Sequence, residues 1–259
     1  MIQSASTPEL QTEFLRRIAH KPYFESTLGT HLHLFGNHPA SGWAFYLLPG
    51  SAVLELRGGS AVLCGALPGG EAGEDAREEL TGFLRFLHAD TLRTEHPLTL
   101  PGWQPAAPLW ALPKGRALPL PPAPPAELVP DKAPSMLPVS RLVFAESDAE
   151  ADEFYSAACT ALAHGVGTCR ALLHNGRPIC TVGCYEQSDT ESYMAAGVTD
   201  PAWQGRGLAR YLIVGLANEL TAERAVRFAC FPALCGFYAQ LGFLQIGKIQ
   251  HYTTDWNTT

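Results

Sequence analysis

The sequence predicts an α+β protein: a mixed, mostly antiparallel sheet flanked by helices, arranged as two tandem units. Three observations carry this. Short β-rich runs are joined by tight-turn signals, Gly58-Gly59 and Asn175-Gly176, which favour antiparallel hairpins. Longer segments with apolar residues at helical spacing fall between those runs. A proline-rich stretch from Gln104 to Pro138 separates two halves of similar outline. Proline lacks the amide donor and fixes φ, so this stretch reads as an extended, semi-rigid connector. The expected units are residues 1–103, a linker at 104–136, and residues 137–259.

In the first half, His31 to Phe35, Trp43 to Leu48, Val53 to Leu56 and Ala61 to Cys64 read as short strands. Asp75 to Leu87 reads as a helix, with Leu80, Phe83, Leu84 and Leu87 on its apolar face. A strand near Thr91 to Arg93 follows.

The second half begins with a strand at Arg141 to Ala145. Asp148 to His164 is helical, with Ser147 or Asp148 as N-cap and Phe154, Ala158 and Leu162 on one face. Thr168 to His174 and Pro178 to Tyr185 form a hairpin around Asn175-Gly176. Glu191 to Thr199 is a strand, and Leu208 to Ala222 a helix carrying Leu208, Tyr211, Leu212, Leu216 and Leu220. A strand at Val226 to Cys230, a short helix at Leu234 to Leu241 and a last strand at Phe243 to Thr253 complete the half.

Apolar residues make up 46% of the chain, enough for real cores. A net charge of −7 argues against a nucleic-acid surface, which needs clustered Lys and Arg. The seven cysteines include Cys180 and Cys184 in one strand, and Cys230 and Cys235 flanking a strand–helix turn. None stands with a second Cys or His pair at zinc spacing, so no metal is expected. Buried thiols in a reducing, cytoplasmic setting are the expectation. Met1 to Leu10 lacks a basic region followed by an apolar core, so no leader peptide is expected. No apolar run approaches the ~20 residues that span a membrane.

The most telling segment is Trp203-Gln204-Gly205-Arg206-Gly207-Leu208-Ala209-Arg210, between a strand and a helix. The first amides of a helix have no internal partner, and the helix dipole favours an anion there. Gly205 and Gly207 lack the Cβ atoms that would hold a phosphate off the backbone. No Gly-Lys-Ser/Thr follows, which excludes a P-loop. The dinucleotide pattern fails at Arg210. Instead, Gln204-x-x-Gly207-x-Ala209 resembles the acyl-CoA pyrophosphate loop of the GNAT family of N-acetyltransferases. A second element of that family follows at Phe237-Tyr238-Ala239-Gln240-Leu241-Gly242-Phe243, with Gly242 as a left-handed C-cap.

The resemblance implies a GNAT fold and acetyl-CoA as acyl donor. Gln204, Gly205, Arg206, Gly207, Leu208, Ala209 and Arg210 would hold the pyrophosphate, and Gly197, Val198 and Thr199 the pantetheine arm. Tyr238 would be the general acid at the thioester sulfur. The general base is open: Glu191 or Tyr193 faces the right side of its strand, while nothing places His174 or His251. One departure stands at Phe231, followed by Pro232, where the family often carries asparagine.

The first half follows the same outline as a degenerate copy, though a plain α+β cap is an alternative. It has no Gln-x-x-Gly-x-Ala, and the acids Glu71, Glu74 and Asp75 would repel a pyrophosphate. The expected function is acetyl transfer to a primary amine of a small or amino-acid-like molecule. A non-catalytic acyl-CoA-binding or sensing protein is the alternative. No nucleic acid or membrane partner is expected, and the first half could serve as a homodimer contact.

Overall fold

The computed structural model describes residues 1–105, 109–111 and 116–255. In the first half, β1 (Gln3–Ser4) precedes α1 (Pro8–Ile18) and α2 (Phe24–Phe35). Strands β2 (Trp43–Leu47), β3 (Val53–Arg57) and β4 (Ser60–Cys64) follow, then α3 (Gly70–Phe86) and β5 (Thr91–Thr94). Between the halves lie β6 (Gln104–Pro105) and β7 (Leu109–Ala111). The second half repeats the order: β8 (Leu128–Asp131), α4 (Met136–Val143), α5 (Asp148–Ala163), β9 (Thr168–His174), β10 (Arg177–Gln187), β11 (Glu191–Thr199), α6 (Leu208–Thr221) and β12 (Ala225–Arg227). It ends with β13 (Ala229–Cys230), α7 (Cys235–Leu241) and β14 (Gly247–Thr253).

Local chemistry explains most of these elements. Pro8 opens α1 behind Thr7, whose hydroxyl accepts from the Leu10 amide, and Ser147 caps α5 in the same way. Asn175 and Gly176 both have positive φ, at 51° and 78°, as a two-residue type I′ hairpin requires. Gly58-Gly59 likewise joins β3 to β4, with Arg57 opposite Ser60.

Three expectations are corrected. His31 to Phe35 is the end of α2, because Phe24, Leu28 and Leu32 recur at helical spacing and are all buried. Arg141 to Ala145 is not a strand; α4 covers its start, burying Met136, Val139 and Ser140 at helical spacing. The proline-rich connector contributes pairing as well as spacing. Leu128–Asp131 is an edge strand antiparallel to β9, a position that tolerates Pro130. Between Arg116 and Glu127 the chain is neither helix nor strand, and residues 106–108 and 112–115 of the connector lie outside the described residues.

Two compact units result. The first comprises Met1–Ala111, Ala229–Cys235 and Ile246–Thr259; the second comprises Leu112–Phe228 and Gly236–Gln245. In the first unit the sheet runs β1-β2-β3-β4-β5-β14-β7-β13, with β6 also on β14. Thus the last strand, β14, pairs antiparallel with β5, Tyr252 opposite Leu92. The boundaries read from composition had assigned it to the second half. Leu54, Leu63, Leu80, Leu84 and Leu92 form the first core with Trp103 and Tyr252. The second unit holds the sheet β12-β11-β10-β9-β8, antiparallel except for the parallel pair β11–β12. Helix α6 packs on β9 through β12, burying Leu212, Ile213 and Leu216. Each such side chain contributes about 1.5–3 kcal/mol of burial.

Candidate functional site

Strand β11 is irregular where the sequence placed the site. Thr181 pairs with Val198, and the next pair is Gly183 with Ala195. Two steps along β10 therefore oppose three along β11, a bulge at Ala196 and Gly197. Ala196 has φ of 55°, a left-handed conformation that costs about 1–2 kcal/mol for an L-residue. On its other edge, β11 pairs with β12 only from Glu191 to Tyr193. From Met194 onward no strand among the described residues pairs with that edge. An edge of β-backbone is a template for an extended, amide-bearing ligand.

The loop after β11 is held by its own polar groups. The Asp200 amide donates to the Ile179 carbonyl at 2.8 Å, and Asp200 Oδ1 accepts from the Ala202 amide at 2.9 Å. Gln204 Nε2 donates to the Thr199 carbonyl at 3.2 Å. Arg206 donates to the Ala202 carbonyl, and its guanidinium lies 4.6 Å over the Trp203 ring. Trp203 in turn meets His174, ring centroids 4.6 Å apart. The side chains of Gln204 and Arg206 thus brace the loop itself.

What this loop presents is backbone. Gly205 and Gly207 have φ of 75° and 76°, and a Cβ on either would meet nothing within 4 Å. Glycine is needed there for the left-handed turn, and the space in front of it is open. Gly207 is the N-cap of α6 and no side chain caps the helix. The amides of Leu208, Ala209 and Arg210 open the helix beside this space, in the arrangement that suits an anion. Leu208 is buried and anchors the turn, while Arg210 is exposed.

Val198, Thr199, Asp200 and Gln204 also form one wall of a cleft of about 530 Å³. Its other walls come from Arg177 and Pro178 at the start of β10 and from the α4–α5 turn, including Phe144 and Glu146. Arg141 in this wall is tied to Asp148 at 2.6 Å and Asp152 at 2.8 Å. Sequence reading missed this wall because it took Arg141 to Ala145 as a strand.

Tyr238 sits half-buried on α7, its ring 4.4 Å from Phe228, 5.1 Å from Phe237 and 6.1 Å from Phe243. The helix ends as expected: Gly242 has φ of 94°, its amide donates to Ala239, and the Phe243 amide donates to Tyr238. Glu191 pairs with an arginine. It is buried at the start of β11, with Oε2 3.0 Å from Arg227 Nε. A buried carboxylate engaged by a guanidinium is poorly placed to take a proton from an acceptor. Phe231 is 66% exposed. His251 lies on β14, in the first unit.

The first unit lacks the corresponding irregularity. β3 and β4 pair without a register shift, and β4 pairs with β5 over four consecutive residue pairs, Ser60–Thr91 to Leu63–Thr94. Just past that ladder, the Gly65 amide donates to Glu95 Oε2 at 3.1 Å, and Lys21 Nζ holds the other oxygen at 2.7 Å. Among the described residues, no cluster of His, Cys, Asp and Glu could hold a metal ion, and no helix is long and apolar enough to cross a membrane.

Residues 135–243 match the model of the acetyltransferase (GNAT) family. The whole chain has the fold of a tandem GNAT protein from the clavulanic acid biosynthesis pathway, at 15% identity, 99% and 98% coverage and a TM-score of 0.66. It is similarly alike to a GCN5-related N-acetyltransferase from Sphaerobacter thermophilus, at 12% identity, 99% and 95% coverage and a TM-score of 0.63. A Kribbella flavida GCN5-related N-acetyltransferase matches at 15% identity, 80% and 88% coverage and a TM-score of 0.60. No curated protein sequence matches the chain. The second half carries an intact domain of this fold, and the first half is a second, GNAT-like copy.

Proposed function

We propose that this chain, whose residues 135–243 match the model of the GNAT acetyltransferase family, moves an acetyl group from acetyl-CoA directly to a primary amine of a small or amino-acid-like molecule. One observation carries the reading. A bulged strand with an open edge runs into an uncapped helix start whose two glycines face empty space.

The residues present fit acetyl-CoA. The amides from Gly205 to Arg210 would hold the pyrophosphate, and Gly197, Val198 and Thr199 would hydrogen-bond the pantetheine arm along the edge of β11. Bound acetyl-CoA supplies an activated thioester. Backbone amides among Gly197, Val198 and Thr199 would polarise its carbonyl oxygen, as fixed dipoles that need no reorganisation. The Tyr238 hydroxyl is assigned as proton donor to the departing sulfur. Glu191 is left without a base role because Arg227 engages it. The acceptor then enters as the neutral amine. We place the reaction in the cytoplasm, and the acidic net charge of −7 favours a small molecule over nucleic acid as partner.

A second reading is favoured by that same ion pair: a protein that binds acyl-CoA and responds to it without turnover. Thermal-shift titration with acetyl-CoA, followed by a free-thiol assay over a panel of amines, separates them. Ligand at 100 times its dissociation constant adds about 2.7 kcal/mol to the native state. A saturable shift with thiol release supports the transferase. A shift with no release from any amine supports the sensor, and no shift at millimolar acetyl-CoA removes both.

A further inference from the structure

Cys230 and Cys235 take no part in the proposed transfer. They bracket a single turn: Cys230 is the last residue of β13, and Cys235 is the first of α7. All seven cysteines are free thiols. The sulfurs of this pair are 3.9 Å apart. A disulfide bond is ~2.05 Å long, so closure asks for an approach of roughly 2 Å, within reach of a side-chain rotation. The partners differ in access. Cys230 is 7% exposed, whereas Cys235 is partly open to solvent. Cys235 Sγ also faces the Phe231 carbonyl across the turn, at 3.8 Å.

We propose that Cys230 and Cys235 form a reversible redox modification site, closed to an intramolecular disulfide by exchange with a small-molecule disulfide such as oxidised glutathione. The Cys235 thiol loses its proton to solvent, and its thiolate attacks one sulfur of the oxidant. This forms a mixed disulfide and releases one thiolate. The Cys230 thiol then gives up its proton, and its sulfur attacks Cys235 Sγ, expelling the second thiolate. In sum, two protein thiols are oxidised and one small disulfide is reduced to two thiols. The order follows from access, and from burial, which with the neighbouring Cys235 pushes the Cys230 thiol up to about 12. The bond would fasten the first turn of α7 to the end of β13. Tyr238, three residues along, lies on the same side of the helix as Cys235.

The test uses the full-length protein equilibrated in glutathione buffers of graded redox poise, alkylated and mapped by peptide mass. The expected result is a Cys230–Cys235 segment lighter by two hydrogens, restored by a dithiol reductant, while the buried Cys180 and Cys184 remain alkylatable after unfolding. In Cys230→Ser, Cys235 should stop at the glutathione adduct. In Cys235→Ser, Cys230 should stay a thiol. Two free thiols in the wild-type protein across the whole series, or a bond from either to another cysteine, would overturn the proposal. The readout involves no acetyl transfer, so its failure is distinct from failure of the transferase reading.

Discussion

Glu95 accepts the amide hydrogen of Gly65 at 3.1 Å, just beyond the parallel ladder of β4 and β5. In the second unit the matching ladder ends at Tyr193 and Arg227, and beyond it no strand among the described residues pairs with that edge. The first unit thus fills with its own carboxylate, anchored by Lys21, a region that the second leaves open. One acetyl-CoA should therefore bind per chain. Isothermal titration calorimetry reads this directly, and a stoichiometry of two would refute it.

Gly207→Val should abolish acetyl-CoA binding. The residue holds a φ of 76°, which a β-branched side chain adopts only with strain of about 1–2 kcal/mol, and its Cβ would project into the space before α6. The saturable thermal shift should vanish while the unliganded protein remains folded by circular dichroism. A variant that keeps the full shift would move the nucleotide elsewhere.

Tyr238→Phe should lower turnover by about 100-fold, at the modest end of general-acid effects, with little change in acetyl-CoA affinity. The ring contacts with Phe228 and Phe243 survive the change, so stability should hold. Steady-state rates equal to wild type would assign the proton to another donor.

Arg227→Met should destabilise the second unit by about 3–5 kcal/mol, because it leaves the buried Glu191 carboxylate without its guanidinium. The double variant with Glu191→Gln should recover part of that loss. Chemical denaturation checks both. Glu191→Gln alone should retain acetyl transfer, and a collapse of its rate in a folded protein would restore Glu191 as base.

Acid should weaken the first unit through His251. Burial, and then the charge of Arg93, hold this imidazole below its ordinary 6.5. The unfolded chain therefore takes up the proton first, so stability is complete above about pH 6.5 and falls as the pH drops below it. His251→Asn should flatten the slope of melting temperature against pH in that window. An unchanged slope would place the titration in another group.

Much of this was legible in the sequence, for physical reasons that differ by element. α6 was readable because apolar residues at helical spacing bury one face, and Gly205 and Gly207 announce a turn that other residues enter at a cost. α4 was misread because Arg141 to Ala145 is a short apolar run, which periodicity alone cannot assign. The bulge at Ala196 leaves no trace in composition: an alanine at positive φ is imposed by its surroundings. The engagement of Glu191 by Arg227 and of Gly65 by Glu95 joins residues 36 and 30 positions apart, beyond the reach of local pattern. The partner of β14 was invisible for the same reason.

That last strand sets an order on synthesis. β5 meets β14 through Thr91 opposite Thr253, so the inner edge of the first sheet waits for the much later residues of β14. While the ribosome makes the residues between them, β5 is an unpaired edge, the kind of surface that recruits other nascent strands. A nascent chain stalled before Gly247 cannot complete its first sheet, although every residue of β1 through β5 has already emerged.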